Sequence, residues 1–157
     1  METKQPKLYV LVGVPGSGKS TWVNNQSWMQ DCVYISTDKH VETYAKKVGR
    51  TYIEVFDEIM PDAVHIMTSE VVIARENRQD IVWDQTSTSI KSRAKKFRML
   101  PDYYAIAVVF RTPDAEELQR RLDSRPGKTI PPEVIADMID NFEMPTEQEG
   151  FKEIWYA

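Results

Sequence analysis

The segment from residue 13 to residue 20, Gly-Val-Pro-Gly-Ser-Gly-Lys-Ser, limits the fold of this chain more than any other part of the sequence. It fits the pattern G-x-x-x-x-G-K-[ST] in full, and a short apolar run at 8–12 leads directly into it. The pattern is typical of a loop between a buried strand and a helix, in which backbone amides and the lysine surround an anion. We therefore expect a strand, a phosphate-binding loop and a helix near the start of an α/β domain.

Individual residues of this loop have different expected roles. Gly13, Gly16 and Gly18 allow backbone amides to point inward and approach phosphate oxygens closely. Lys19 can bridge the β- and γ-phosphates of a nucleotide, and the hydroxyl of Ser20 can ligate Mg²⁺. The predicted nucleotide-binding residues are Gly13, Val14, Pro15, Gly16, Ser17, Gly18, Lys19, Ser20, Thr21 and Arg121.

Short apolar runs rich in β-branched residues alternate with longer amphipathic stretches, which is typical of βαβ units around a parallel sheet. The runs are apolar nearly throughout, as expected of strands that are covered on both faces. We predict strands at 8–12, 33–36, 81–84 and 105–110, with a further strand at 153–156. The expected architecture is α/β, with a parallel sheet of about four to five strands flanked by helices.

Helices are predicted at 61–77, 113–124 and 133–141. The first has apolar residues at three- and four-residue steps, and a proline in the first turn is tolerated because its missing amide is not needed there. The second is expected to begin after an N-cap at Thr112, with Pro113 in its first turn. The apolar positions of the first helix are Val64, Met67, Val71 and Ala74.

Composition excludes several classes of protein. The 157 residues and their 41% hydrophobic content predict one domain, spanning 1–157, with its own core. Because the chain has 20 basic and 24 acidic residues, a generally basic nucleic-acid-binding surface is excluded. Cys32 is the only cysteine, and His40 and His65 lie far apart, so neither a disulfide framework nor a zinc cluster is expected. The longest early apolar run is too short for a membrane span, and we expect a cytoplasmic protein without membrane partners.

An acidic residue follows the second predicted strand, in the sequence Ser36-Thr37-Asp38. The carboxyl ends of parallel strands share one rim, where the phosphate-binding loop also lies, so Asp38 is expected near the γ-phosphate. Its carboxylate can accept the proton of an acceptor hydroxyl and orient the oxygen for attack. The alternative is that Asp38 only caps a helix beginning at Lys39.

The third predicted strand ends at Asp84, and this strand end resembles a Walker B motif. Asp84 can hold Mg²⁺ through water or orient an arginine. The following hydroxyl-rich run, Gln85-Thr86-Ser87-Thr88-Ser89, can donate to a substrate phosphate, for which Thr86 is the candidate. The alternative for Thr88 or Ser89 is the capping of the next helix.

A basic helix is predicted at 91–98, where five of eight residues are Lys or Arg and none is acidic. Ile90, Ala94 and Phe97 have helical spacing and predict its buried face. A basic stripe beside that face can follow the phosphates of a nucleic acid, although a merely solvated helix face explains it as well. The stripe consists of Lys91, Lys95 and Arg98.

Further cations lie at and beyond the end of the helix at 113–124. Arg120, Arg121, Arg125 and Lys128 precede or occupy a Pro- and Gly-containing connection at 125–132, which is predicted to close as a lid. Guanidinium groups over the phosphates can offset the charge that develops during phosphoryl transfer. Arg125 is the first candidate for this role and Arg121 the second. Compensation of the helix dipole is the alternative.

Together, these motifs and the tail Phe142-Glu-Met-Pro-Thr-Glu-Gln-Glu-Gly-Phe151 resemble polynucleotide 5′-kinases over nearly the whole chain. The tail is especially similar to the end of the kinase domain of DNA-repair polynucleotide kinase, and the small size is similar to the phage form. The resemblance implies a P-loop kinase fold with a helical lid, and transfer of the γ-phosphate from ATP·Mg²⁺ to a 5′-hydroxyl of DNA or RNA. It implies that Asp38 is the general base and that Arg125 stabilises the transferring phosphoryl group. For a phage-encoded protein the expected location is the host cytoplasm.

The sequence also departs from that family. The phage enzyme has an arginine three residues beyond its catalytic aspartate, where this chain has Val41, and a phosphatase motif of the D-x-D-x-T type is absent. One alternative acceptor is the hydroxymethyl group of 5-hydroxymethyluracil in phage DNA, because this chain is also similar to the small kinases that modify it. A small-molecule kinase acting on a nucleoside or sugar is another. A nucleotide-dependent binding switch is disfavoured because no N-K-x-D motif occurs.

Overall fold

A computed structural model describes residues 4–125, 128 and 130–157, and a five-stranded sheet organises them. All of its strand pairs are parallel, in the order β2-β3-β1-β4-β5. The strands are β1 (Lys7–Val12), β2 (Val33–Ile35), β3 (Ile81–Trp83), β4 (Tyr104–Val109) and β5 (Glu153–Tyr156). The five predicted strands are therefore confirmed, with ends that differ by at most one residue.

The helices alternate with these strands, as the sequence predicts. They are α1 (Lys19–Asn24), α2 (Thr37–Val48), α3 (Tyr52–Glu76), α4 (Ile90–Met99), α5 (Ala115–Asp123) and α6 (Pro132–Asp140). Two 3₁₀ turns, Ser27–Asp31 and Glu147–Glu149, complete the described elements. The architecture is the expected α/β sheet flanked by helices.

The core lies on both faces of the sheet because β1 contributes side chains to each. Leu8, Val10 and Val12 pack on one face against residues of α3 and α4. Tyr9 and Leu11 pack on the other face against residues of α1 and the first 3₁₀ turn. The period of two along a strand produces this division, and it explains why β1 is apolar at successive positions.

Helix α3 begins at Tyr52, nine residues earlier than predicted. The start is fixed by Thr51, whose hydroxyl accepts from the Glu54 amide while the Glu54 carboxylate accepts from the Thr51 amide. Pro61 consequently lies inside the helix rather than in its first turn. The additional turns pack on α2 through an apolar cluster, which the shorter predicted helix did not indicate. Its buried members are Val41, Ala45, Val55 and Ala63.

Two local predictions about helix faces and caps are wrong. Val64 is 42% exposed, whereas Met67, Val71 and Ala74 are buried as expected. The N-cap of α5 is Asp114 rather than Thr112, because the Asp114 carboxylate accepts from the Glu117 amide at 2.9 Å. Pro113 therefore precedes the cap instead of occupying the first turn.

The predicted connection at 125–132 is described only in part. Residues 126, 127 and 129 lie outside the described residues. Within the described ranges, no helix is both long and apolar enough to cross a membrane.

Candidate active site

The phosphate-binding loop connects β1 to α1 and has a conformation that requires its glycines. Gly16 and Gly18 have φ values of 83° and 100°, which are unfavourable for other residues. A Cβ atom at Gly13 would lie 2.9 Å from the Cβ of Phe110, so a side chain has no room there. The Gly13 amide donates to the Thr86 carbonyl at 2.9 Å, which joins the loop to the segment after β3.

The Lys19 side chain folds back over this loop. Its Nζ donates to the carbonyls of Gly13 and Val14 at 2.9 and 3.0 Å. Burial lowers the pKa of Lys19 to about 8, and the negative charge of Asp84 partly opposes this shift. The ammonium is therefore held in a place where an arriving anion would stabilise its charge.

Asp84, directly after β3, accepts hydrogen bonds from two hydroxyl groups. Ser20 Oγ donates to Asp84 Oδ2 at 3.1 Å, and the Tyr34 hydroxyl makes a short hydrogen bond to the same oxygen. Burial, followed by the charge of Asp84, raises the pKa of Tyr34, so this hydroxyl stays protonated as a donor. A hydroxyl and a carboxylate this close are hard oxygen ligands of the kind that Mg²⁺ prefers, so the residues present fit that ion.

Asp38 lies in the first turn of α2 with a half-exposed carboxylate. The Tyr52 hydroxyl donates to Oδ1 at 2.6 Å, and Lys128 Nζ lies 3.3 Å from Oδ2. The interpretation of Asp38 as a helix cap is wrong, because Ser36 is the N-cap and its hydroxyl accepts from the Lys39 amide. The carboxylate is thus not used to begin the helix.

Lys128 connects three parts of the molecule around Asp38. Besides its contact to Asp38, its ammonium donates to Glu42 Oε1 at 2.7 Å. It also lies 4.7 Å from the centre of the Tyr52 ring. The described part of the predicted lid therefore contacts both α2 and α3 beside the candidate base.

A cavity of about 910 Å³ opens beside the phosphate-binding loop. Arg121 Nη1 donates to the Gly16 carbonyl at 3.1 Å, and its Nε donates to Glu117, which holds the guanidinium at the cavity wall. Arg125 lines the same cavity, so the two arginines predicted for phosphoryl transfer lie together. Other lining residues, which were not predicted as site residues, are Trp22, Asn25, Arg111 and Pro113.

Some basic side chains of helix α4 are buried and others are exposed. Arg93 is fully buried and donates twice to the Glu149 carboxylate, at 2.8 and 3.1 Å, and once to the Ser87 carbonyl. Lys96 is also buried, with its ammonium 5.0 Å from the centre of the Trp83 ring. Burial lowers the pKa of Lys96 to about 8.

These two cations occupy part of the face that the sequence analysis assigned to apolar residues. Ile90 is 42% exposed, so its predicted burial is wrong, whereas Phe97 packs against the core. Arg93 and Lys96 can be buried because Glu149 and the Trp83 ring compensate their charges. The predicted stripe of Lys91, Lys95 and Arg98 is exposed. Ser89 is the N-cap of α4, as the capping alternative predicted.

The tail at 142–151 packs against the loop that carries Thr86. The Glu143 amide donates to the Thr88 carbonyl, and the Glu143 carboxylate accepts from the Ile90 amide at 3.1 Å. Glu149 binds Arg93, and the Phe151 ring packs against Phe97 with centroids 4.9 Å apart. The tail motif therefore stabilises α4 and the loop that leads into it.

A family model for an AAA domain, AAA_33, matches residues 8–145. The chain belongs to this AAA_33 family. A curated relative of this AAA_33 chain is heterogeneous nuclear ribonucleoprotein U-like protein 2 of Mus musculus, 24% identical over 163 residues. The match covers 96% of this chain but 21% of that protein, so the chain spans about a fifth of the relative's length.

Solved structures share the fold of this AAA_33 chain. A candidate kinase from Chloroflexus aurantiacus has a TM-score of 0.72 at 14% identity, covering 99% of this chain and 86% of that one. A chain of the Pnkp1/Rnl/Hen1 RNA repair complex has a TM-score of 0.65 at 23% identity, covering 89% and 45%. Shikimate kinase from Acinetobacter baumannii has a TM-score of 0.56 at 15% identity, covering 98% and 84%. At these identities the likeness establishes the fold, which is the P-loop kinase fold.

Proposed function

We propose that this chain is an ATP-dependent kinase that transfers the γ-phosphate to a hydroxyl of a nucleic acid, foremost a 5′-hydroxyl end of DNA or RNA. The observation that carries the proposal is the position of Asp38. Its half-exposed carboxylate follows a strand of the same parallel sheet whose rim holds the phosphate-binding loop, and it does not cap the helix. A protein that only bound a nucleotide would need no carboxylate at that position.

In the proposed reaction, the acceptor oxygen attacks the γ-phosphorus on the side opposite the bridging oxygen to the β-phosphate. A new P–O bond forms, the bond to the bridging oxygen breaks, and ADP leaves. The hydroxyl proton moves to the Asp38 carboxylate. Lys19 and the loop amides hold the phosphates, while Arg121 and Arg125 at the cavity wall stabilise the transferring group.

Ser20 and Asp84 are the residues that would hold Mg²⁺. When bound, Mg²⁺ neutralises charge on the β- and γ-phosphate oxygens. The Tyr34 hydroxyl fixes the Asp84 carboxylate through its hydrogen bond, so this carboxylate is already oriented for binding an ion. The Gly13–Thr86 hydrogen bond keeps this segment in register with the phosphate-binding loop.

The exposed stripe on α4 supports a phosphate-bearing acceptor. Lys91 and Lys95 lie on a helix that begins six residues after Asp84, and both are exposed. Val41, in contrast, is fully buried between α2 and α3, so an arginine could not extend into solvent from that position without opening the core. A nucleic acid would then obtain its cationic contacts from α4. The likeness to a chain of an RNA repair complex also supports this choice.

Small-molecule phosphorylation is the second candidate, and the fold shared with shikimate kinase over 84% of that enzyme favours it. In that case the stripe on α4 would be ordinary solvated surface. The two candidates differ in their salt dependence, because only a polyanionic acceptor releases counterions on binding.

The test is a panel of acceptors incubated with γ-labelled ATP and Mg²⁺. The panel contains 5′-hydroxyl oligonucleotides of DNA and RNA, their 5′-phosphorylated counterparts, duplexes with 5-hydroxymethyluracil, nucleosides, gluconate and shikimate. We expect label in the 5′-hydroxyl oligonucleotides and none in the 5′-phosphorylated controls. Label only in the modified duplex or only in a small molecule would replace the proposed acceptor, and label in none would contradict the kinase proposal.

A further inference from the structure

We infer that Tyr52 is a positioning residue for Asp38: its hydroxyl holds one carboxylate oxygen, Oδ1, and thereby turns the other, Oδ2, towards the acceptor. The inference rests on the proposed kinase function and deepens it. Tyr52 lies outside every motif of the sequence, 14 residues beyond Asp38 and on a different helix.

The hydrogen bond has the geometry of a charge-assisted interaction. The Tyr52 hydroxyl donates to Oδ1 at 2.6 Å, within the range of O–H···O⁻ bonds, which are about twice as strong as neutral ones. Burial, followed by the hydrogen bond to Asp38, raises the pKa of Tyr52. The hydroxyl therefore remains protonated, so it donates to the carboxylate and does not itself take the acceptor's proton.

Tyr52 is itself held firmly, which a positioning residue requires. It is the first residue of α3, and the reciprocal hydrogen bonds between Thr51 and Glu54 fix the start of that helix. Its ring packs on Phe56 with centroids 5.5 Å apart. The apolar cluster between α2 and α3 fixes the two helices relative to each other, so the distance between Tyr52 and Asp38 is set by the core.

The two oxygens of Asp38 are held unequally. Oδ1 accepts the short bond from Tyr52, whereas Oδ2 lies 3.3 Å from the Lys128 ammonium, beyond the usual length of an N–H···O bond. Lys128 has a closer partner in Glu42, at 2.7 Å. Oδ2 is therefore the oxygen that can exchange its neighbour for an acceptor hydroxyl, while Oδ1 stays occupied.

A half-exposed aspartate without the Tyr52 bond would be free to rotate about its side-chain torsions. Only some of those rotamers aim an oxygen at an incoming alcohol, so the fraction of productive complexes would fall. Lys19, Ser20 and Arg121, which are proposed to bind ATP·Mg²⁺, make hydrogen bonds to other groups than Tyr52 in the described part of the chain. Loss of the Tyr52 hydroxyl should therefore lower the rate of phosphoryl transfer and leave the affinity for ATP unchanged.

Tyr52→Phe tests this, because it removes the hydroxyl and keeps the ring that packs on Phe56. Tyr44→Phe is the matched control: Tyr44 lies on α2, donates to Glu58 of α3 at 3.4 Å, and joins the same two helices away from Asp38. We expect kcat of Tyr52→Phe to fall roughly 10- to 100-fold, as for loss of a hydrogen bond to a charged group. The KM for ATP should stay within error of the parent, and the melting temperature should fall by no more than the few degrees expected for loss of one hydrogen bond. Tyr44→Phe should keep the kcat and the KM of the parent.

A double-mutant cycle combines Tyr52→Phe with Asp38→Asn, and the rate of transfer is measured in single turnovers with the protein in excess. The cycle distinguishes an effect of Tyr52 that acts through Asp38 from one that does not depend on Asp38. If Tyr52 acts through Asp38, adding Tyr52→Phe to the Asp38→Asn background should cause little further loss. An unchanged kcat in Tyr52→Phe, or an equal loss in both backgrounds, would overturn the inference. Full activity in Asp38→Asn would overturn it as well, because Asp38 would then not be the base that Tyr52 positions. If the parent itself transferred no label to a 5′-hydroxyl oligonucleotide, the proposed function would fail instead, so the two failures are distinguishable.

Discussion

Lys19 is a cation whose charge depends on its surroundings. Its ammonium donates to backbone carbonyls rather than to a carboxylate, and burial lowers its pKa to about 8. The motif predicted that this residue lies at the loop, because the pattern from Gly13 to Ser20 is local in sequence. The lowered pKa could not be predicted, since it depends on how deeply the folded loop encloses the ammonium.

The lowered pKa of Lys19 predicts that the protein captures ATP less efficiently at alkaline pH. The free protein loses the Lys19 charge as the pH rises through about 8, so kcat/KM for ATP should fall above that pH. Once the triphosphate is bound, its negative charge favours the ammonium, so kcat itself should fall only at higher pH.

Steady-state kinetics between pH 6 and 10, fitted separately for kcat/KM and kcat, checks this expectation. Lys19→Arg provides the control, because an arginine stays charged across the range and should remove the limit near pH 8 even if its activity is low. A kcat/KM profile that is flat to pH 10 in the parent would contradict the assigned role of Lys19.

At the scale of elements, α4 illustrates both the strength and the limit of sequence patterns. Its existence and the exposure of Lys91 and Lys95 were predicted, and its cap, Ser89, is one of the two residues named in the capping alternative. The burial of Arg93 was not, because its partner Glu149 lies 56 residues away in a 3₁₀ turn of the tail. The surroundings of Asp38 were missed for the same reason, since Tyr52 and Lys128 approach it only through tertiary packing.

The exposed face of α4 yields a prediction that separates a nucleic-acid acceptor from a small one. Lys91→Gln/Lys95→Gln should lower kcat/KM for a 5′-hydroxyl oligonucleotide and leave the KM for ATP unchanged. If each lysine contacts one phosphate of a single strand, the slope of log kcat/KM against log salt should weaken by about 0.7 per lysine. The matched control is Lys46→Gln/Lys47→Gln, which removes the same charge from the exposed end of α2. Equal slopes in both variants and the parent would contradict the assignment of α4 to the acceptor.

At the scale of the whole molecule, the site is a consequence of the order of the strands. With β1 between β3 and β4, and β2 beyond β3, the phosphate-binding loop, Asp84 and Asp38 follow neighbouring parallel strands and share one rim. The sequence predicted the five strands because each is a short apolar run. It did not predict their order, which depends on tertiary packing, with α3 and α4 on one face of the sheet and α1 and the first 3₁₀ turn on the other.

The most direct test of this account compares nucleotide binding with phosphoryl transfer in Asp38→Asn. Binding is followed by the rise in melting temperature with ATP·Mg²⁺, and transfer by label in a 5′-hydroxyl oligonucleotide. The account predicts a thermal shift equal to that of the parent together with a loss of transfer of roughly 10²- to 10⁴-fold. Transfer at the parent rate, with the same thermal shift, would contradict it.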